Sequence, residues 1–84
     1  MAKVTLYSKQ DCPLCDEARD ALERVRARLP FDLEEVDIAS RASLLEQYGE
    51  RIPVVAIDDR ETFEYFVDER ELERRLTASP EAVG

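Results

Sequence analysis

Apolar and polar residues alternate from Lys3 to Tyr7, the period of a half-buried strand, and Ser8-Lys9-Gln10-Asp11 breaks the run. A longer rhythm follows. Leu14, Ala18, Leu22, Val25 and Leu29 recur at helical spacing and predict a helix from Pro13 to Leu29. Its ends agree with that reading. Asp16, Glu17 and Asp20 crowd the start while Arg24, Arg26 and Arg28 crowd the finish, as the helix dipole favours. Pro13 at the first helical position gives up an N–H that has no partner there. Pro30 stops the helix, and Phe31 to Ile38 reads as a second strand whose alternation slips between Leu33 and Val36. Ser40 is the expected cap of a short helix ending at Gly49, with Leu44, Leu45 and Tyr48 facing inward. Ile52 to Ile57 is a β-branched run typical of a buried strand. Asp58-Asp59-Arg60 turns the chain into an aromatic-rich strand from Thr62 to Val67. Asp68 then caps a last helix, with Glu71 at the capping-box position and Leu72 and Leu76 inward.

The order is therefore β-α-β-α-β-β-α, an α/β fold. Two strands joined through a helix make a right-handed βαβ unit, and the last two strands make a hairpin. A four-stranded mixed sheet flanked by helices is expected. The chain holds 84 residues and shows no internal repeat, so residues 1–77 are read as one domain and 78–84 as a flexible tail. Twelve basic residues against 20 acidic ones give −8, which repels phosphate backbones and anionic lipid. Neither nucleic acid nor membrane is an expected partner, and no apolar run approaches the roughly 20 residues of a membrane span. Met1-Ala2-Lys3 leads straight into the first strand without an apolar leader segment. A cytoplasmic monomer is the expectation.

The chain has no histidine and two cysteines. The first fact removes Ser-His-Asp and Cys-His catalysis together with zinc sites that need imidazole. The second is informative through placement. Cys12-Pro13-Leu14-Cys15 lies where the first strand gives way to the first helix. Unpaired backbone N–H groups at a helix start favour a thiolate at Cys12, and Cys15 lies one turn on, within reach of a disulfide formed there. The implied chemistry is thiol–disulfide exchange, with Cys12 attacking and Cys15 resolving. Lys9 is the nearby cation that would steady the thiolate; Asp11, Asp16 and Glu17 oppose it. Three other readings stand beside this one: a chance pairing on a helix, a zinc or iron–sulfur carrier sharing thiols between two subunits, and a non-catalytic interaction domain. Two sulfurs without imidazole fall short of zinc's four ligands, so no metal site is expected within one chain.

Arg51-Ile52-Pro53-Val54-Val55 is the second informative stretch. A proline opening a buried strand removes a ladder hydrogen bond. Either the Ile52–Pro53 bond is cis and faces the thiols, leaving the Ile52 backbone to pair with an extended substrate, or a trans proline merely starts an edge strand. Tyr7-Ser8-Lys9-x-x-Cys12-Pro13-x-Cys15 and Ile52-Pro53-Val54-Val55, together with the element order, resemble the glutaredoxin family of thioredoxin-fold proteins over about Lys3 to Leu76. The resemblance implies a dithiol–disulfide oxidoreductase with a redox-active Cys12–Cys15 disulfide and no bound cofactor. It implies that Cys12 is the nucleophile and Cys15 the resolving thiol, and that Lys9 and Arg41 contact glutathione carboxylates. It also makes Ile52 and Pro53 the loop that holds substrate backbone. Two departures modify it. Leu14 stands where the family usually has an aromatic residue between proline and the second cysteine. Tyr65-Phe66-Val67-Asp68 stands where it has a Gly-Gly pair before the last helix. Bulky side chains there obstruct glutathione as co-substrate, and the acids between Asp58 and Glu73 either repel it or form a solvated face. Protein or small-molecule disulfides are the expected substrates. Glutathione, or instead thioredoxin reductase, is the expected reductant, and an exposed Leu14 and Val67 would offer a protein partner an apolar collar.

Overall fold

The computed structural model describes residues 3–77; residues 1–2 and 78–84, with the predicted tail, lie outside the described residues. The elements are β1 (Lys3–Ser8), α1 (Pro13–Arg28), β2 (Asp32–Asp37), a 3-10 turn (Ile38–Ser40), α2 (Ala42–Tyr48), β3 (Val54–Ile57), β4 (Arg60–Glu64) and α3 (Glu69–Thr77). The strands lie in the order β2-β1-β3-β4, β1 parallel to β2 and the other neighbours antiparallel. This is the expected four-stranded mixed sheet.

Helices cover both faces because the central strands are apolar on both. On one face Val4, Leu6 and Val55 pack against Ala18, Leu22 and Val25 of α1 and Leu72 of α3. On the other, Val54 packs with Ile38 and Tyr48, joined by Tyr7, Leu44 and Ile52. Tyr7 and Tyr48 stack at 4.3 Å between ring centroids. Each fully buried aliphatic side chain in these layers contributes roughly 1.5–3 kcal/mol.

Several boundaries differ from the sequence expectation for identifiable reasons. Leu29 is the C-cap of α1, not its last helical residue. β2 loses Phe31 to the irregular connection from α1 and Ile38 to the 3-10 turn. The slip in its alternation arises because it is an edge strand, on which both Glu34 and Glu35 reach solvent. Ser40 does not cap α2. Its Oγ donates to the Asp37 carbonyl at 2.7 Å and closes the 3-10 turn, while Arg41 takes the N-cap position with no side-chain cap bond. Gly49 is right-handed, with φ −52, not a left-handed cap. A side chain there would place its Cβ 2.4 Å from the Leu45 carbonyl oxygen, so close approach accounts for the glycine. Leu45 is exposed, not inward. β3 begins at Val54 because Pro53 has no N–H for the ladder. Asp58 and Asp59 both have positive φ (49 and 70), the two-residue turn whose twist suits a hairpin, so β4 begins at Arg60. β4 stops at Glu64 because Tyr65 is left-handed, with φ 69. Asp68 caps α3 as expected, its Oδ1 accepting from the N–H groups of Arg70 (3.0 Å) and Glu71 (3.2 Å). Glu71 pairs forward with Arg74 and Arg75.

Candidate functional site: a dithiol between two grooves

The sheet brings four chain segments to one end. β1 and β2 run parallel, so both end there, and the pairing of Tyr7 with Val54 and of Val54 with Glu64 starts β3 and finishes β4 at the same level. The loop after β1 carries the cysteines, Ile52-Pro53 precede β3, and Tyr65-Phe66-Val67 follow β4. Asp11 turns the chain into α1 with φ 60, a left-handed conformation that Asp tolerates better than most residues. The Ile52–Pro53 bond is cis.

Cys12 occupies the N-cap of α1 in extended backbone, and its Sγ accepts the Cys15 N–H at 3.3 Å. The sulfur thus takes the place of the Ser or Asp oxygen that usually satisfies an orphan N–H at a helix start. Both cysteines are free thiols; Cys12 is partly exposed and Cys15 buried. Burial first, then its hydrogen bond to Cys12, pushes the Cys15 thiol up to about 11, while the Lys9 backbone N–H and the Arg19 charge oppose the rise. The pair is therefore asymmetric. Cys12 is partly exposed with its sulfur bonded by a backbone N–H, and its partner is buried and held neutral.

Two grooves are lined by residues adjoining the cysteines in the chain, Asp11 and Asp16 in one and Leu14 in the other, and by neither cysteine itself. The first, about 520 Å³, is lined by Ser8, Lys9, Asp11, Asp16, Arg19 and Glu35 among others. A network fixes its wall: buried Ser8 donates to Glu35 at 2.7 Å, and the Arg19 guanidinium grips Glu35 through Nε (2.9 Å) and Nη2 (2.5 Å) and Asp16 through Nη1 (2.8 Å). Arg19 holds the Glu35 carboxyl below the usual carboxylate range. The second groove, about 250 Å³, lies between α1 and the turn into α3, with Leu14, Tyr65, Phe66 and Val67 on its walls. Tyr65 is held in this wall through its backbone and its hydroxyl. Its N–H donates to the Pro53 carbonyl at 2.8 Å and its hydroxyl to the Glu50 carbonyl at 3.1 Å. The loop before Ile52 is held from its other side by Arg51, which donates to the Gln47 carbonyl and to Glu61 while stacking on Tyr48.

Of the residues singled out by sequence, Cys12, Pro13 and Cys15 share the start of α1. Lys9 lines the first groove and Leu14, 45% exposed, the second. Pro53 is buried and Ile52 half-buried against the Ile38–Tyr48–Val54 cluster. Arg41 is exposed and lines neither groove. Val67 is only partly exposed, so the apolar collar rests more on Tyr65 (51%) and Phe66 (68%) than expected. Sequence reading missed Arg19 and Glu35. The spacing of Arg19 four residues after Cys15 was its one visible signal. No group of three or more Cys, Asp or Glu side chains placed to hold a metal ion occurs among the described residues.

The mixed sheet in the order β2-β1-β3-β4 with helices on both faces is a thioredoxin-like fold, and a C-x-x-C pair opens its first helix. A solved desulfothioredoxin from Desulfovibrio vulgaris Hildenborough, 25% identical, superposes with a TM-score of 0.68 over 93% of this chain and 81% of that one. Within that fold the chain belongs to the glutaredoxin-like domain family (DUF836), whose model matches residues 3–77. A structural-genomics target protein from X. campestris is 37% identical, with a TM-score of 0.74 over 92% of this chain and 99% of that one. An uncharacterized protein of Mycobacterium tuberculosis is 30% identical over 82 residues, 92% of this chain and 84% of that protein.

Proposed function

We propose that this protein is a dithiol–disulfide oxidoreductase. The observation that carries the reading is the asymmetric pair: a partly exposed Cys12 at a helix N-cap, its sulfur bonded by the Cys15 N–H, beside a buried Cys15 thiol. The Cys12 thiolate attacks one sulfur of a substrate disulfide; that S–S bond breaks, and the other substrate sulfur leaves as a thiolate and takes a proton. Cys15 then loses its proton and attacks the Cys12 sulfur. The Cys12–Cys15 disulfide forms, the second substrate thiol leaves, and two electrons have passed from protein to substrate. Lys9 steadies the leaving and attacking sulfurs by its charge, Ile52 and Pro53 support the substrate's main chain, and Arg41 serves only a substrate extending beyond the grooves. The protein works as a monomer in the cytoplasm, where reductases keep such thiols reduced. No helix among the described residues is long and apolar enough to cross a membrane.

The exposed Tyr65 and Phe66, standing where the related glutaredoxins have a glycine pair, favour thioredoxin reductase over glutathione as the source of electrons. The test is a single turnover of the pre-reduced protein with a small uncharged disulfide, followed by mass spectrometry. Wild type is expected to end as the internal disulfide, Cys15→Ser to stop at the mixed disulfide, and Cys12→Ser not to react. A Cys12→Ser variant that reacts like wild type overturns the mechanism; a wild-type protein that does not react leaves a non-catalytic domain or a thiol-ligand carrier. Coupled NADPH assays with each reductase then decide the electron source. Turnover with glutathione and glutathione reductase overturns the second reading.

A further inference from the structure

Three of the four large apolar side chains exposed among the described residues, Leu14, Tyr65 and Phe66, line the same groove beside Cys12. Large apolar groups gathered on one surface mark a recognition site more often than a solvated face. The rim around them carries Glu17, Asp20 and Glu69 against a single Arg24, and Arg24 is held by Glu69 at 2.8 Å. The first groove has four acids, Asp11, Asp16, Glu35 and Asp37, against Lys9 and Arg19. Arg19 is already bound to Glu35 and Asp16. Both grooves beside the C-x-x-C segment therefore carry an excess of two acids, and one has an apolar floor.

We infer that the occupant of this surface is a protein segment whose disulfide cysteine has an apolar neighbour and a Lys or Arg nearby, and that anionic thiol conjugates are selected against. The inference rests on the dithiol reading above and names its substrate class. The apolar neighbour lies over Leu14 and Phe66, and the basic side chain meets Glu17 and Asp20. A second copy of this chain is a poor occupant, because each copy carries −8. The exchange itself is the one already balanced: the segment's disulfide is reduced by two electrons as Cys12 and Cys15 are oxidised, and thioredoxin reductase restores the dithiol.

The test uses four synthetic peptides of equal length, each carrying one cysteine linked to 5-thio-2-nitrobenzoate. They combine an apolar or a serine neighbour with a basic or an acidic one. Pre-reduced protein is mixed with each and release of the coloured thiolate is timed. The apolar–basic peptide is expected to react roughly tenfold faster than the apolar–acidic one at low salt, at the low end of electrostatic steering, with the gap closing in about 0.5 M salt. Glu17→Lys combined with Asp20→Lys is expected to reverse the charge preference, and Phe66→Ser to erase the apolar one. The intrinsic reactivity of each peptide with dithiothreitol is divided out, so only selectivity imposed by the protein remains. Equal rates for all four peptides, or preference for acidic ones, overturn the inference while leaving exchange intact. A change of oligomeric state in Phe66→Ser without a change in selectivity also overturns it, since the groove would then hold a second copy. If neither the peptides nor the small uncharged disulfide reacts, the dithiol reading fails and the inference falls with it.

Discussion

Tyr65 combines two features that pull stability in opposite directions, which makes its replacement a sharp test of the turn that forms the groove. Its φ of 69 is left-handed. For a residue with a Cβ that conformation costs roughly 1–2 kcal/mol. Against this stand a hydroxyl bond to the Glu50 carbonyl at 3.1 Å and the half of the ring that is covered, since Tyr65 is 51% exposed. A net hydrogen bond contributes about 1 kcal/mol, and near 100 Å² of covered apolar surface contributes roughly 2.5 kcal/mol at about 25 cal/mol per Å². The backbone N–H bond to Pro53 survives any replacement except proline. Tyr65→Phe should therefore lose about 1 kcal/mol or less. Tyr65→Ala should lose roughly 2–3 kcal/mol, because the backbone cost stays while the side-chain contacts go.

Tyr65→Gly loses the same contacts but sheds the left-handed penalty. Part of that relief is lost to the freer unfolded chain, which costs glycine roughly 0.5–1 kcal/mol relative to alanine. The glycine variant should end about 0.5–1 kcal/mol more stable than the alanine variant. At an ordinary surface position the order is the reverse. Urea unfolding of both variants, followed by far-UV circular dichroism, reads the difference directly as a midpoint shift at constant slope. An alanine variant as stable as the glycine variant, or more so, refutes the left-handed turn and with it the account of why β4 stops at Glu64.

Three further outcomes follow from the same geometry. Asp68→Ala removes the acceptor of two N–H groups at the start of α3 and should cost about 1 kcal/mol, lowering Tm by roughly 5 °C, with an unchanged Tm in calorimetry counting against the cap. The Glu35 carboxyl is held low by Arg19, so its folded value lies below the ordinary 4.5; such a group stabilises above 4.5 and loses that contribution as pH falls through the lowered value. Tm measured between about pH 7 and pH 3 should then fall less steeply for Glu35→Gln than for wild type, and parallel curves would show that the Arg19 pair carries no net stability. Burial holds the Cys15 thiol up to about 11, so closure of the mixed disulfide should quicken roughly tenfold per pH unit through neutrality. Acid-quench mass spectrometry follows that step, and a rate level across neutral pH would mean that Cys15 is already ionised when it attacks.

What could be read from sequence follows from how far apart the deciding residues lie. α1 was legible because its period, its proline and its end charges all lie within one stretch, and the C-x-x-C at its start inherited that clarity. The hairpin was legible in existence but not in boundary. Two aspartates supply the positive φ that glycine usually signals, and nothing about an aromatic residue announces the same conformation at Tyr65. Ser40 had the side chain of a helix cap, but the Asp37 carbonyl three residues earlier took its hydroxyl. The Ser8–Glu35–Arg19 network was invisible for a stronger reason, because parallel pairing of β1 with β2 brings together residues from three elements. The groove beside Cys12 is the extreme case. Leu14 and Phe66 are ordinary apolar positions in their own segments, and become one surface only because β4 ends at the level where α1 begins. Charge behaves the same way. An excess of acids is visible in composition, but only the fold decides that Glu17, Asp20 and Glu69 surround an apolar floor while Arg24 and Arg19 are held by carboxylates. The C-x-x-C motif was thus local and readable, whereas the surfaces around it depend on contacts between segments that only the folded chain supplies.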